Sequence, residues 1–312
     1  MTMRLDIFCT SDIGCIRQGN QDMAAAGLNL VRDSQTDFMH EKHEGDNFML
    51  LVADGMGGHQ HGEMASSHTL EELRAAIFDR NRDWSHPEAT LSGEIERIST
   101  ELNLKSAGMR LEKAMGCTLT GFVWAGGKTL LVNVGDSRCY RMRAGMLRLL
   151  TRDQNLSERD MVPMPQGKAL YSCLGGGISP SISIQDYSGK LLPADRLLIC
   201  SDGLTDMISE NEIEALLKEG RPSQSGSMLV EAAKAAGGAD NISVIVADLL
   251  DDAEYQSGDT LPAGTAEPPV QEDAGLPDTE EENSAKAESL DIPEEASADL
   301  NGESKDADST LN

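Results

Sequence analysis

The sequence predicts an α+β fold in which two antiparallel β-sheets are covered by α-helices. Apolar runs of strand length recur through the first 250 residues, and several are bounded by Gly or Asp. The order along the chain is a group of strands, two helical stretches, hairpin-like strands, and then a helical segment with a final strand. Because strands and helices are grouped instead of alternating regularly, this order favours separate sheet and helix layers.

The predicted strands are short runs dominated by apolar residues. They cover residues 5–9, 48–53, 118–124, 129–134, 139–142, 197–200 and 242–246. The segment 125–129, Ala-Gly-Gly-Lys-Thr, joins two of these runs and lacks the glycine spacing of a phosphate-binding loop. It is therefore interpreted as a hairpin turn.

The predicted helices follow from apolar periodicity and capping residues. Residues 62–82 carry an apolar stripe at i, i+3, i+4 and i+7, and residues 89–109 carry a weaker one. Ser209 and Glu212 have the spacing of a capping box before an apolar stretch, which predicts a helix start. A further helix is expected over residues 223–236, before the last strand.

Charge divides the chain into two parts. Residues 251–312 contain 19 Asp or Glu and 2 Lys, which gives −17 of the formal net charge of −27. This segment has little apolar surface to offset the entropy of ordering, so it is predicted to be a disordered acidic tail after a domain over residues 1–250. Such negative charge disfavours nucleic-acid binding, because a phosphate backbone is repelled.

Cysteine spacing and hydropathy point to a reducing compartment. The six cysteines are scattered and form no C-x-x-C pair, so they are interpreted as reduced thiols. No apolar run approaches the roughly 18–20 residues that a membrane span requires, and the first residues lack a sustained apolar stretch. The sequence therefore predicts a cytoplasmic protein without a membrane segment.

Five segments centred on aspartate are the candidates for chemistry. Three of them adjoin strands of pure hydrophobes, in MLLVADG, LLVNVGD and RLLICSDG. A strand that ends in Asp-Gly places a carboxylate at the sheet edge, while the glycine lets the backbone turn and expose its carbonyl oxygen. The five segments are RQGNQD at 17–22, DGMGG at 54–58, GDSR at 135–138, SDGLTD at 201–206 and GADN at 238–241.

Together these segments indicate a divalent metal site. Mg²⁺ and Mn²⁺ prefer carboxylate and carbonyl oxygens with several retained waters. Two such ions about 3.5–4 Å apart can lower the pKa of a shared water and direct it at a phosphorus atom. Taken singly, each segment has a plainer interpretation as a turn with a solvated carboxylate, and GDSR as a hairpin. Five in one chain favour a hydrolase.

In these motifs the sequence resembles the protein phosphatase 2C family of metal-dependent serine/threonine phosphatases, and its bacterial members in particular. The resemblance runs from about Cys9 to Leu249, and its motifs stand in the order of the family. It implies a four-layer sandwich with two central antiparallel sheets flanked by helices. The motifs are SDIGCIRQGNQD, LVADGMGGHQHGEMAS, GCTLTG, LLVNVGDSRCYRMRAGMLRLLTRDQN, LLICSDGLTD and GGADNISVIVADL.

The resemblance implies a role for each metal-site residue. Asp54 would bridge two Mn²⁺ or Mg²⁺ ions. The Gly55 carbonyl and Asp22 would bind one of the ions, and Asp202 with Asp240 would bind the other. Carboxylate and carbonyl oxygens are the ligands that these hard cations prefer, so the residue types agree with the implied roles.

Further residues match positions around the two ions. Asp136 and Asp206 match the positions that hold a third, weaker ion. Arg17 matches the arginine that grips the substrate phosphate, and a planar guanidinium can give two parallel hydrogen bonds to phosphate oxygens. Many eukaryotic relatives carry His directly after the Asp-Gly, where this chain, like bacterial members often, has Met56. His59 is therefore a candidate general acid alongside a metal-bound water.

The resemblance implies a protein serine/threonine phosphatase in which a hydroxide that bridges two ions attacks phosphoserine or phosphothreonine in line. Its partners would be phosphorylated proteins, the products of a Ser/Thr kinase, and it would act as a monomer. One alternative is a catalytically silent module of the same fold that binds a phosphorylated partner. Another is a phosphatase dedicated to one regulatory protein, which differs only in substrate.

Overall fold

Two antiparallel sheets form the centre of the structure. The structure is a computed structural model and describes residues 3–43, 45–161 and 169–250. The side chains of His59 and Arg159 are likewise outside the described part. The acidic tail predicted over residues 251–312 lies outside the described residues, so the boundary at residue 250 stays a prediction. No helix in these ranges is both long and apolar enough to cross a membrane.

The first sheet has the strand order β11-β10-β14-β15-β1-β4, all antiparallel. Its strands are β1 Met3–Asp12, β4 Ser34–Lys42, β10 Arg138–Arg143, β11 Met146–Leu149, β14 Arg196–Cys200 and β15 Ile242–Leu250. The long central strands β1 and β15 pair over their whole shared length, from Arg4 opposite Leu250 to Asp12 opposite Ile242.

The second sheet has the order β13-β9-β8-β5-β2-β3. Its strands are β2 Met23–Ala26, β3 Asn29–Val31, β5 Phe48–Ala53, β8 Leu119–Ala125, β9 Lys128–Val134 and β13 Ser183–Asp186. A small sheet of three short strands extends beside it in the order β12-β7-β6. These are β6 Gly55–Met56, β7 Gly116–Cys117 and β12 Leu174–Gly175.

Helices cover the outer face of each sheet. Helices α1 and α2 pack with Leu51 and Val132 of the second sheet in one buried cluster, whereas α5 and α6 pack with Leu198 and Val244 of the first sheet in another. A third cluster, which includes Ile7, lies between the two sheets. The helices are α1 His59–Phe78, α2 Pro87–Gly108, α3 Leu156–Asp160, α4 Asp202–Thr205, α5 Glu210–Leu217 and α6 Pro222–Ala235.

The four layers confirm the predicted α+β sandwich. Each predicted strand and helix is present with ends shifted by a few residues, and the Ser209 side chain accepts a hydrogen bond from the Glu212 amide at the start of α5. The hairpin at 125–129 is also confirmed: Gly126 and Gly127 have φ of 56° and 76° between β8 and β9, as a type I′ turn needs.

Several features differ from the sequence-based expectations, among them short strands and helices that lack a clear apolar pattern. The polar edge strand β4 was not predicted, because its side chains alternate between exposed and half-buried positions without an apolar run. The GDSR segment is not a hairpin, since β9 belongs to one sheet and β10 to the other. This crossing between the sheets brings Asp136 to the end of the sandwich, where the other aspartates lie.

Candidate active site

One end of the sandwich contains a cleft of about 760 Å³. Its lining comes from several distant segments of the chain, because strand ends of both sheets meet there. The structure thus brings together six of the predicted site residues on one surface. They are Arg17, Asp54, Gly55, Asp136, Asp202 and Asp240.

Asp54 lies between strands β5 and β6, and Gly55 is the first residue of β6. The Asp54 amide donates to Thr118 Oγ1 at 3.0 Å, and the Thr118 amide donates back to the Asp54 carbonyl oxygen at 2.8 Å. Gly55 is packed so closely that a Cβ there would meet the Gly62 and Gln21 carbonyl oxygens at 2.2 and 2.5 Å. Only glycine fits this close approach, which holds the backbone next to the cleft.

Asp22 lies directly before strand β2 and is buried, with 1% of its surface exposed. Its backbone amide donates to Asn20 Oδ1 at 3.0 Å, which fixes the turn into the strand. The Asp22 Oδ2 atom is buried and has no hydrogen-bond partner among the described residues. A buried carboxylate oxygen without a partner is costly unless a ligand satisfies it.

Asn241 connects the segment of Asp22 with the segment of Asp240. Its Oδ1 accepts a hydrogen bond from the Gln21 amide at 2.9 Å, and its Nδ2 donates to the carbonyl oxygens of Ile13 and Gly19. One buried side chain therefore holds the loop before β2 against the start of β15. Asn241 belongs to the GADN segment, and the sequence alone predicts no role for it.

Asp202 and Asp206 lie at the two ends of the short helix α4, which follows β14. The Asp206 amide donates to the Asp202 carbonyl oxygen at 2.8 Å. Ser201, just before the helix, is bonded to Ser243 of β15 through backbone and hydroxyl groups at 3.1 and 3.0 Å. This pairing of β14 with β15 fixes the position at which Asp202 enters the cleft.

Arg17 lies beside Asp240. Its Nη2 is 2.6 Å from Asp240 Oδ2, and the two side chains are 49% and 35% exposed. The guanidinium therefore keeps part of its surface open to the cleft, and five N–H groups allow it to hold a second anion as well. This placement agrees with the role that the family resemblance implies.

The aspartates of the cleft raise each other's pKa. Burial raises the pKa of Asp22 to about 7, and the charge of Asp202 adds to the effect. Burial and the charge of Asp22 raise the pKa of Asp54 well above its usual range. The pKa of Asp136 is raised to about 7 by burial and then by the charges of Asp202 and Asp153. The charged form of these carboxylates is thus disfavoured unless cations offset it.

The donor set fits divalent cations, although the side chains do not form a closed cage. Within residues 3–43, 45–161 and 169–250, no three His, Cys, Asp or Glu side chains stand close enough together to hold one ion as they are placed. The carboxylates nevertheless act on each other electrostatically, and Asp22 Oδ2 is an orphaned acceptor. Hard oxygen donors of this kind are what Mg²⁺ and Mn²⁺ bind.

Three residues complete the description of the cleft. Met56, which directly follows the Asp54-Gly55 pair, lines it. His59 begins helix α1, and its side chain lies outside the described part of the chain, so its role as general acid stays a prediction. Lys113, which was not predicted, is an exposed cation at the cleft and lies after α2 in a segment without any recognisable motif.

Comparisons with known proteins agree with this arrangement. A sequence model of the family described as protein phosphatase 2C matches residues 31–234. The serine/threonine phosphatase stp of Listeria monocytogenes is 30% identical over 258 residues, which are 76% of this chain and 93% of the relative. The serine/threonine protein phosphatase PstP of Mycobacterium tuberculosis is 31% identical over 276 residues, 84% of this chain. This chain spans about half of the length of PstP, 48%.

A solved structure shares the fold and has metal bound. It is the catalytic domain of PstP in complex with two manganese ions, with a TM-score of 0.63 and 29% identity over 79% of this chain and all of that chain. The enzyme class predicted from the sequence, a protein phosphatase, is the one that these relatives share. The family match and the identity to the Listeria enzyme confirm the prediction from the motifs: the chain belongs to the protein phosphatase 2C family.

Proposed function

We propose that the chain is a metal-dependent protein phosphatase that hydrolyses phosphoserine and phosphothreonine in other proteins. The observation that carries the proposal is the convergence of four partly buried aspartates and one half-exposed arginine on a single cleft. Aspartates from distant segments have no structural reason to face each other, since each raises the free energy of the others' charged form. Cations and a phosphate ester would offset this cost.

The residues that would hold two core ions are those on which the cleft is built. Asp54 would contact both ions, the Gly55 carbonyl and Asp22 one of them, and Asp202 with Asp240 the other. When bound, Mn²⁺ or Mg²⁺ would lower the pKa of a water at the site and offset the charge of the phosphoryl oxygens. Asp22 Oδ2 would then gain the partner that it lacks among the described residues.

A third, weaker ion would be held by Asp136 and Asp206. The charge of Asp206 is one of those that raise the pKa of Asp136, so the two carboxylates act on the same region. Asp206 is the C-cap residue of the short helix that begins at Asp202, which places the third position next to the core pair. Occupancy there would depend on the ion concentration more than occupancy of the core positions, since two protein groups would contribute there and three at each core position.

Arg17 would orient the substrate. Its guanidinium remains charged at neutral pH and can give paired hydrogen bonds to two phosphate oxygens. The ion pair with Asp240 at 2.6 Å anchors one edge of the guanidinium and leaves N–H groups for the phosphate. The leaving serine or threonine oxygen needs a proton as the bond breaks, and His59 stays the candidate side chain for that step.

The partners would be proteins phosphorylated by a Ser/Thr kinase, and the enzyme would act as a monomer. The relatives are named as serine/threonine phosphatases, which supports substrates of this class. The side chains of Arg17 and Asp240 in the cleft are partly exposed to solvent, so a protein segment can reach them. A single phosphorylated residue would enter the cleft while the rest of the substrate lies along the surface.

The test is hydrolysis of p-nitrophenyl phosphate and of a phosphothreonine peptide with Mn²⁺, with Mg²⁺ and with EDTA. We expect hydrolysis that needs the metal and that Asp54→Asn abolishes. The matched control is Asp37→Asn, an exposed aspartate of the edge strand β4, which should keep full activity. Hydrolysis that survives both EDTA and Asp54→Asn would refute the mechanism. Tight phosphoprotein binding without hydrolysis would favour the silent binding module.

A further inference from the structure

A second charged surface lies away from the cleft, at the mouth between the edge strands β11 and β13 of the two sheets. It is a groove of about 440 Å³, called here the cationic groove, lined by Arg141, Arg143, Arg148, Tyr187 and Lys190. No Asp or Glu is among its lining residues in the part of the chain that the structure describes. This concentration of positive charge is unexpected in a domain whose residues 1–250 carry a net charge of −10.

Arg141 and Arg148 stand directly opposite each other across the pair β10 and β11. Like charges at directly opposed positions destabilise a sheet. Arg141 is two residues from Cys139, whose side chain belongs to the cluster between the sheets, so it lies on the inner face of β10. The two arginines therefore meet at the open mouth between the sheets.

The charge of these two arginines is not offset by the protein. The neighbouring Arg143 donates from Nε and Nη2 to the buried Asp195 at 2.5 and 2.7 Å, as a structural arginine does. Across residues 3–43, 45–161 and 169–250, neither Arg141 nor Arg148 has a carboxylate within ion-pair distance, and Arg141 Nε is buried without a hydrogen-bond partner. Local conflicts of this kind are expected at functional sites.

Lys190 adds a third positive charge to the same surface. Its Nζ lies 4.9 Å from the centre of the Tyr187 ring and donates to the Asp186 carbonyl oxygen. Two guanidinium groups and an ammonium group around an aromatic ring match the charge and the acceptor oxygens of a phosphate dianion. A single carboxylate would leave most of these donors unused.

The cationic groove is connected to the cleft along the surface. Leu150 lines the groove and also a smaller pocket of about 230 Å³, and Tyr171 of that pocket lies between Leu170 and Cys173 of the cleft. Asp136 of the cleft is five residues before Arg141, and a fully extended segment of that length spans at most about 17 Å. An extended peptide would span this distance with about five to eight residues, because side chains add to the reach.

We propose that the cationic groove binds a second phosphorylated residue of the same protein segment whose first phosphorylated residue occupies the cleft. The inference rests on the proposed function, since it names the substrate class of that site. Substrates would carry two phosphorylated residues about five to eight positions apart. The distal phosphate would increase affinity without taking part in the reaction.

The experiment compares two peptides of identical sequence. One carries phosphothreonine at the position to be hydrolysed, and the other has a second phosphate on a serine about six residues away. A pair with the second phosphate on the other side of the phosphothreonine covers both directions along the surface. With the full chain and Mn²⁺, we expect kcat/KM to be about tenfold higher for one doubly phosphorylated peptide, mainly through a lower KM.

The double variant Arg141→Gln and Arg148→Gln removes the unpaired charges. We expect the ratio of kcat/KM for the two peptides to fall to about one in this variant. Arg80→Gln is the matched control, because Arg80 is exposed at the end of α1 and should leave the ratio unchanged. Arg148→Gln alone is a second variant at an exposed position, and thermal melting of each variant identifies any loss of folding.

The outcomes separate this inference from the proposed function. Hydrolysis of p-nitrophenyl phosphate with equal kcat/KM for all peptides would overturn the inference and leave the phosphatase activity intact. A ratio that survives the double variant would overturn it as well. If the chain hydrolyses nothing, calorimetric titration with a peptide that has only the distal phosphate decides: binding that the double variant loses supports the groove, and no binding refutes it.

Discussion

Two groups of partly or fully buried aspartates differ in how their negative charge is offset. In the first group each carboxylate accepts at least two hydrogen bonds from a single arginine. The three pairs are Asp153 with Arg138, Asp195 with Arg143, and Asp248 with Arg196. These pairs join strands and loops that are distant in sequence, so they stabilise the fold. The three aspartates of these pairs are called here the structural group.

The second group consists of Asp54 and Asp136, which line the cleft, and the buried Asp22, which follows Gln21 of the lining. Asp22, Asp54 and Asp136 face other carboxylates, and the pKa of each is raised by burial and by the neighbouring negative charges. The comparison teaches that arginines pair with the carboxylates that stabilise the fold. The carboxylates of the second group instead lie next to other carboxylates. Charge that the protein does not neutralise is charge that a ligand can neutralise.

The largest expected effect that tests this difference is that of Asp22→Asn. Removing the charge of Asp22 should lower metal-dependent hydrolysis at least about hundredfold, because a ligand oxygen is lost. In EDTA the same change should raise the free energy of unfolding by about 1 kcal/mol, since a buried carboxylate with a raised pKa no longer repels its neighbours. The measurements are steady-state kinetics and denaturant unfolding.

The sign of the stability change is the critical outcome for Asp22→Asn. A loss of stability in EDTA would place Asp22 in the structural group and contradict the comparison. Ser201 and Asp202 lie in the same region, so the crystal structure of the variant should show their backbone unchanged. A shift there would mean that lost activity comes from a distorted cleft instead of a missing ligand.

The second prediction concerns metal removal. Mn²⁺ should stabilise the wild-type chain by about 2.7 kcal/mol when its concentration is a hundred times its dissociation constant, because it binds only the folded state. Asp54→Asn should lose most of this gain, whereas Asp37→Asn should keep it. Differential scanning calorimetry with and without EDTA measures the effect. Equal stabilisation of the wild type and Asp54→Asn would place the ions elsewhere.

The third prediction concerns a substitution that removes one ion pair of the structural group. Asp195→Ala should lower the free energy of unfolding by about 2 kcal/mol, because the fully buried carboxylate accepts from Arg143 and from the Leu192 amide. Part of the Arg143 side chain remains in water, which limits the cost. Activity per folded molecule should not change. A stabilising effect would erase the distinction between the two groups.

The aspartates of the cleft could be predicted from the sequence because each lies in a recognisable turn, and three of those turns adjoin an apolar strand. The apolar composition of such strands requires that they be buried in a sheet. The turns that follow them therefore lie at the strand ends, where loops carry functional residues. Asn241 could not be assigned in the same way. Its role depends on hydrogen bonds to Ile13, Gly19 and Gln21, which no periodicity encodes.

Features that depend on strand pairing could also not be predicted from the sequence. Strand β4 is held by backbone pairing with β1 at the sheet edge, so its polar side chains needed no apolar pattern. The opposition of Arg141 and Arg148 depends on the register between β10 and β11. The assignment of β9 and β10 to different sheets is likewise decided by the packing of the two sheets, which local turn chemistry does not fix.

The smallest expected effect is the loss of a neutral helix cap, with which the stability loss in the structural group can be compared. Ser209 caps helix α5 with one hydrogen bond from the Glu212 amide at 3.3 Å, and neither partner atom carries a charge. Ser209→Ala should lower the free energy of unfolding by about 1 kcal/mol. The loss measured in denaturant should be smaller than that of Asp195→Ala, because the arginine pair adds charge to its hydrogen bonds. An equal or larger loss for Ser209→Ala would show that the arginine pairs contribute no more than a neutral cap.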